Sequence, residues 1–213
     1  MPQNFTSWKT IYALSRHRVA KYKQRRQLNT RPHLKVLENV QIGGCTGLSF
    51  TWVQRHQKNP GETPSQRIEY LNTDQAWTNI DYFAGFFNNI PAGSYAERIE
   101  IVAPASVGMQ RQGSVSERDY ESFATALEHI IANPGYHFVM MCLKEVPTNH
   151  ICALWSGVNG VVFFDPNSGE YKVSKGKIQA LLKALTAQYA TYVSSTGVKT
   201  KLTFREIQFH HVG

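Results

Sequence analysis

Apolar residues recur along this chain in two patterns that divide it into a mainly helical first half and a strand-rich second half. Helical spacing predicts helices over residues 43–57, 65–88, 123–131 and 174–193. Shorter β-rich runs predict strands over residues 136–145, 151–155, 161–164 and 202–209. Between the second and third helices, residues 91–113 are expected to be loop-rich, with a short strand at 99–102. Helices first, then an antiparallel sheet with a late helix, define an α+β class.

Cys45 lies where the first predicted helix begins. Gly43 and Gly44 precede it and permit a sharp turn, while Leu48 and Trp52, four positions apart, give the following segment an apolar stripe. A thiol near a helix N-terminus has a lowered pKa, because free backbone N–H groups and the helix dipole favour the thiolate. Cys45 is therefore a candidate nucleophile.

His150 and Asp165 flank a predicted β-hairpin. His150 opens one apolar run, Asp165 closes the next, and a turn-like segment rich in Gly and Asn lies between them. A fold about Gly157 and Val158 predicts a register in which His150 faces Asp165 directly across the hairpin. The carboxylate would then orient the imidazole, and the sequence predicts a thiol, an imidazole and a carboxylate acting together.

Three short segments resemble a known family when they are taken together. They are Gly-Gly-Cys-Thr-Gly-Leu-Ser with Trp three positions later, Asn149-His150, and Phe-Phe-Asp-Pro-Asn followed, after one residue, by Gly-Glu. This combination is similar to the YopT/AvrPphB family of bacterial effector cysteine peptidases, which are papain-like enzymes with a Cys-His-Asp triad. The resemblance covers residues 37–171, with a variable insert between the first and second segments.

The resemblance implies a papain-like fold, with the nucleophile at the N-terminus of a helix that packs on an antiparallel sheet. It implies that Cys45 is the nucleophile, that His150 is first general base and then general acid, and that Asp165 orients His150. It also implies that an upstream side-chain amide joins the Cys45 N–H in the oxyanion hole. Asn39 and Gln41 are both candidates for this amide, and a turn at the glycines favours Gln41.

Composition and charge predict a globular domain preceded by a basic N-terminal segment. The chain has 213 residues, of which 42% are hydrophobic and 12% aromatic, as expected of a domain with a substantial core. The net charge is +8, and residues 1–35 carry nine of the 23 Lys and Arg residues without any Asp or Glu. We therefore expect a basic N-terminal arm over 1–35 and a peptidase domain over 36–213. The arm is expected to bind an anionic membrane or another acidic surface through Arg16, Arg18, Lys21, Lys23, Arg25 and Arg26.

Other expectations concern cofactors, partners and location. The three cysteines do not suggest a disulfide framework, Cys142 and Cys152 are predicted to be buried, and no Cys/His spacing is typical of a zinc site. No cofactor or metal, no nucleic acid and a monomeric state are expected. We expect no Sec signal peptide and no membrane-spanning segment, because the first residues lack a charged-then-apolar layout and no apolar run approaches the ~20 residues needed to span a bilayer. The resemblance implies delivery by a bacterial secretion system into the host cytosol, where the partner would be a host protein substrate.

The triad chemistry leaves other functions open. Glutamine deamidases and transglutaminases attack a side-chain amide with the same three groups, so an acyl-transfer enzyme of that type is the first alternative. A papain-like scaffold that acts only as a binding module through its basic arm is the non-enzymatic alternative.

Overall fold

The computed structural model describes residues 15–31, 33–34, 37–91, 93–117, 124–143, 149–189, 191–193, 199–201 and 204–213. Within these residues the helices are α1 (Gln24–Thr30), α2 (Glu38–Lys58), α3 (Pro64–Leu71), α4 (Asp74–Asn89), α5 (Tyr95–Val107), α6 (Ala124–Ala132) and α7 (Ile178–Tyr189). The strands are β1 (Arg18–Lys21), β2 (Arg111–Glu117), β3 (Gly135–Leu143), β4 (His150–Gly157), β5 (Gly160–Asp165), β6 (Gly169–Val173), β7 (Thr191–Val193), β8 (Lys199–Lys201) and β9 (Phe204–Val212).

Seven of these strands form one sheet in the order β1-β6-β5-β4-β3-β9-β2, and its pairs are antiparallel. β7 and β8 pair separately. The predicted α+β class is confirmed, as are the strands that became β3, β4, β5 and β9. The sequence prediction missed β6, whose short run follows a turn directly.

The sheet separates two apolar clusters because successive side chains of a strand point to opposite faces. On one face, Met140, Ala153 and Phe164 pack against the first helices, chiefly α2. On the other face, Val139, Leu154 and Phe163 pack against α7. Cys142 and Cys152 are both buried, as predicted.

The helical half differs from the prediction in two places. The helix expected over 65–88 is two helices, α3 and α4, because Thr73 caps a new start by accepting a hydrogen bond from the Ala76 N–H. The loop and short strand expected at 91–113 are wrong: α5 occupies most of that stretch. Ser94 and Glu97 form a capping box at its start, and Pro104 is tolerated inside it.

The basic N-terminal segment contributes to the domain as far as it is described. β1 extends the edge of the sheet by pairing with β6, and Tyr22, Leu28 and Leu34 are buried in the core that contains α2. Lys21, Lys23 and Arg26 are exposed. The described residues of this segment thus pack with the sheet and with the core that contains α2, and residues 1–14 lie outside the described part.

Side chains of α2 and α3 tie the helical half to the sheet. Ser49 Oγ donates to the Ile151 backbone oxygen at 3.0 Å. Trp52 Nε1 donates to the buried Glu170 carboxylate at 2.9 Å. Arg67 Nε donates to the same carboxylate at 3.0 Å, and its Nη2 lies 2.5 Å from the other oxygen. These contacts fix the helix that carries Cys45 relative to the strands that carry the other predicted site residues.

No described helix combines the length and the apolar character needed to cross a bilayer.

Candidate active site

Cys45 lies on α2, immediately after an interruption of the helix. The backbone at Gly43 leaves helical geometry, with φ −138° and ψ 25°, so that a new helical run begins next to Cys45. The N–H groups of a first helical turn have no partner within the helix. Cys45 is partly exposed, whereas Cys142 and Cys152 are buried. The position therefore combines solvent access with the electrostatic environment of a helix start.

His150 and Asp165 are in direct contact, although the predicted hairpin register is wrong. Gly157 pairs with Gly160, so the hairpin tip has two residues and the register places Cys152 across from Asp165. His150 is the diagonal neighbour instead. The register differs from the predicted one by two positions, and an even shift keeps every side chain on its face. His150 Nε2 consequently still lies 2.9 Å from Asp165 Oδ1.

Among the described residues, four groups donate to the buried Asp165 carboxylate. Besides His150 Nε2, the Asn167 backbone N–H donates to Oδ1 at 2.9 Å, and the Ser168 hydroxyl donates to Oδ2. Tyr189 Oη lies 2.8 Å from Oδ1 and 3.0 Å from Oδ2. Burial would raise the pKa of Asp165, but the hydrogen bond and charge of His150 hold that pKa below its usual value, with help from Ser168. Asp165 is thus an ionised carboxylate held in one orientation.

Tyr189 is a site residue that the sequence did not reveal. It is the last residue of α7, and its hydroxyl lies 3.0 Å from His150 Nε2. Its ring lies 4.7 Å from the His150 imidazole, centroid to centroid, at an angle of 32°. Asn167 Nδ2 donates to its hydroxyl at 3.2 Å. In the sequence Tyr189 belongs to the apolar stripe of a helix, and that signal indicated only a core residue.

The thiol and the imidazole favour an ion pair. Burial would raise the pKa of the Cys45 thiol, but a hydrogen bond with His150 and the His150 charge bring that pKa below its usual value. Burial would lower the pKa of His150, but Cys152, the hydrogen bond to Asp165 and the contact with Cys45 hold that pKa well above its usual value. His150 Nε2 faces Asp165, and the imidazole also has side-chain hydrogen bonds with the Cys152 and Cys45 thiols.

Cys152 is a second thiol beside the imidazole. Burial raises its pKa to about 12, so Cys152 is protonated at neutral pH. With Cys152 neutral, the hydrogen bonds that His150 makes with Asp165 and with Cys45 remain as the contacts that raise the His150 pKa.

The ligand atoms of His150, Cys152 and Asp165 lie within 4.8 Å of one another, a spacing that a metal ion could use. His150 and Asp165 are, however, already hydrogen-bonded to each other and to Tyr189. Binding of a cation would have to break those hydrogen bonds and deprotonate Cys152.

Of the two amides predicted for the oxyanion hole, Asn39 and Gln41, only the Asn39 side chain is described by the structure. Asn39 Nδ2 donates to Asp81 Oδ2 of α4 at 3.3 Å, and a Cβ placed on Gly85 of the same helix would lie 2.7 Å from that nitrogen. The Asn39 amide is thus held against α4. The Gln41 side chain lies outside the described part of the structure.

Comparison with solved structures supports the fold. The structure matches the Pseudomonas avirulence protein AvrPphB with a TM-score of 0.69 and 17% sequence identity, over 94% of this chain and 99% of that one. It also matches PatoxP, a cysteine protease-like domain of the Photorhabdus asymbiotica toxin PaTox, with a TM-score of only 0.41 and 12% identity, over 93% of this chain and 56% of that one. No protein-family model and no curated protein sequence matches the chain.

This chain therefore has the AvrPphB fold, which is the papain-like arrangement that the sequence motifs implied. In that fold it brings Cys45, His150 and Asp165 together from a helix and two neighbouring strands.

Proposed function

We propose that this protein is a cysteine endopeptidase of the YopT type, secreted as a bacterial effector that cleaves a host protein. The observation that carries the proposal is the position of His150, which contacts the Cys45 thiol on one side and the buried Asp165 carboxylate on the other. The lowered pKa of Cys45 and its partial exposure support the role of nucleophile. The AvrPphB fold supports the same chemistry by analogy.

The mechanism follows from these contacts. The Cys45 thiolate attacks the carbonyl carbon of a peptide bond, the S–C bond forms, and the carbonyl π pair moves to oxygen. The intermediate collapses, and His150 gives its proton to the departing amine. His150 then takes a proton from water, which attacks the acyl-enzyme and releases the acid, restoring the Cys45 thiolate and the protonated His150. Asp165 and Tyr189 keep the imidazole in place throughout.

The test is the rate at which iodoacetamide labels each cysteine, read by peptide mass in the native protein. We expect rapid labelling of Cys45 and slow labelling of the buried Cys142 and Cys152. In His150→Ala the rate at Cys45 is expected to fall to that of an ordinary thiol at the same pH. Slow labelling of Cys45 in the wild-type protein, or an equal labelling rate in wild type and His150→Ala, contradicts the proposal.

A second measurement separates peptidase from deamidase. The protein and its Cys45→Ala variant are incubated with a host-cell lysate, and new protein N-termini are identified by mass spectrometry. New N-termini that depend on Cys45 are expected. A gain of about one dalton on target glutamines, without new N-termini, would instead identify a deamidase, because both reactions begin with the same thiolate attack. An effect on host cells that survives Cys45→Ala would identify a binding module.

A further inference from the structure

The side-chain amide of Gln24 lies against the residue that precedes the candidate nucleophile. Gln24 is the first residue of α1 and is only 5% exposed. A Cβ placed on Gly44 would collide with Gln24 Nε2 and would lie 3.4 Å from Gln24 Cδ. Since Gly44 is bonded directly to Cys45, this amide nitrogen lies close to the backbone N–H of Cys45. Glycine at position 44 is what leaves room for it.

The loop that holds the Asp165 carboxylate also holds Gln24. The Gln24 backbone N–H donates to the Pro166 oxygen at 2.9 Å, and Pro166 directly follows Asp165. Just before α1, β1 pairs with β6, which begins at Gly169. The start of α1 is thereby fixed to the part of the sheet that orients His150, so the amide occupies a defined position beside the reacting groups.

Two other described amides near the glycine turn approach it from a different side, and the Gln41 side chain lies outside the described part. Asn39 is hydrogen-bonded to Asp81 of α4. Asn88, also on α4, contacts Gly43, which is one residue further from Cys45 than Gly44 is, and its Nδ2 atom has no partner among the described residues. Both amides approach from the α4 side, whereas Gln24 approaches from the loop that follows Asp165.

We infer that Gln24 is the side-chain donor of the oxyanion hole, with Nε2–H and the Cys45 backbone N–H binding the same oxygen. The inference rests on the proposed acyl-transfer function. When the Cys45 sulfur bonds to the carbonyl carbon and the π pair moves to oxygen, the two N–H groups stabilise the negative charge. When the C=O bond re-forms, the leaving group departs with its bonding pair and the donors are released. An amide suits this role because it is neutral, so it stabilises the oxyanion without titrating near neutral pH.

Two reactions of the same thiol separate this role from a structural one. Alkylation by iodoacetamide displaces iodide from a CH2 group and forms no oxyanion, whereas acylation by p-nitrophenyl acetate passes through one. We compare both rates in the wild-type protein and in Gln24→Met, which keeps the side-chain length and removes the donor. Alkylation of Cys45 is expected to stay within about twofold of wild type, because His150 and Asp165 are untouched. Acylation is expected to slow by about 10²–10³-fold, the usual cost of losing one oxyanion donor.

Asn88→Ala is the matched control, since it removes an amide that contacts the neighbouring glycine. It is expected to retain both rates. If Gln24→Met is acylated as fast as wild type, the inference is overturned. A selective loss of acylation in Asn88→Ala would also overturn it. Equal loss of alkylation and acylation in Gln24→Met would show a packing role and would also overturn it. A wild-type Cys45 that is not activated in the first place would refute the proposed function and the inference with it.

Discussion

Replacing Glu170 by alanine removes the carboxylate that compensates the Arg67 charge inside the protein. Glu170 is 0% exposed and Arg67 is 4% exposed. The carboxylate receives Arg67 Nε at 3.0 Å and Nη2 at 2.5 Å, and it also receives Trp52 Nε1 at 2.9 Å. In Glu170→Ala the guanidinium is left buried without a counter-charge, and the indole N–H is left without its acceptor.

The expected loss in the free energy of unfolding is the sum of two effects. Breaking a buried ion pair from one side costs about 3–5 kcal/mol. Leaving the Trp52 N–H unpaired costs about 1–3 kcal/mol more, although repacking around the small side chain reduces the total. We therefore expect Glu170→Ala to lower the free energy of unfolding by about 4–6 kcal/mol.

Urea unfolding at neutral pH, followed by tryptophan fluorescence, measures this loss. The matched control is the double variant Arg67→Met/Glu170→Gln, in which the charge pair is gone but an amide oxygen still accepts from Trp52. Its stability is expected to lie within about 2 kcal/mol of wild type. A loss below about 1 kcal/mol in Glu170→Ala, or a double variant no more stable than the single one, would refute the argument that the uncompensated charge is what costs stability.

Three further predictions concern reactivity and packing. Tyr189→Phe removes one of the donors to Asp165 and leaves three, so acylation by p-nitrophenyl acetate is expected to slow by about threefold to tenfold; a slowing above about 1000-fold would mean that the hydroxyl takes part directly in the reaction. Because His150 lowers the pKa of Cys45, alkylation in wild type is expected to stay fast at a lower pH than in His150→Ala and to decline only below that lowered pKa. Identical pH profiles would exclude the ion pair. Gly47→Ala places a methyl group against the α4 backbone and is expected to cost about 1–3 kcal/mol in urea unfolding, whereas Gly61→Ala, where nothing lies within 4 Å, is the control that should not.

The strands around the candidate site could be predicted because each is a short, β-rich apolar run bounded by turn residues. The hairpin register could not, since the segment between the two runs allows more than one tip. In the structure the two-residue tip is Val158-Asn159, one position later than the predicted Gly157-Val158, and Gly160 has a φ of 126°, a conformation that favours glycine. His150 and Asp165 still meet, because the difference in register was even and both side chains stayed on one face.

Features that depend on tertiary contacts could not be predicted from the sequence. The helix α5 was not predicted because a proline such as Pro104 disfavours a helix interior, although Ser94 and Glu97 have the spacing of a capping box. Tyr189 and Gln24 reach the site only because α7 and α1 fold onto the sheet, and nothing in their local sequence marks them. By contrast, the motif residues Trp52 and Glu170 turn out to be bonded to each other, which gives that part of the sequence pattern a structural reason.

The long separation along the chain between the groups that align the site has a consequence for when it can act. Ser49 and Ile151 are 102 positions apart, and Trp52 and Glu170 are 118 positions apart. Contacts of such range form late in folding, because a long loop must close before they contribute. A chain that is still being synthesised, or that is threaded unfolded through a narrow passage, consequently carries Cys45 as an ordinary thiol. The thiol is activated only after the second half of the chain has folded and placed His150 and Asp165 beside it. An unfolded molecule therefore does not attack the proteins around it.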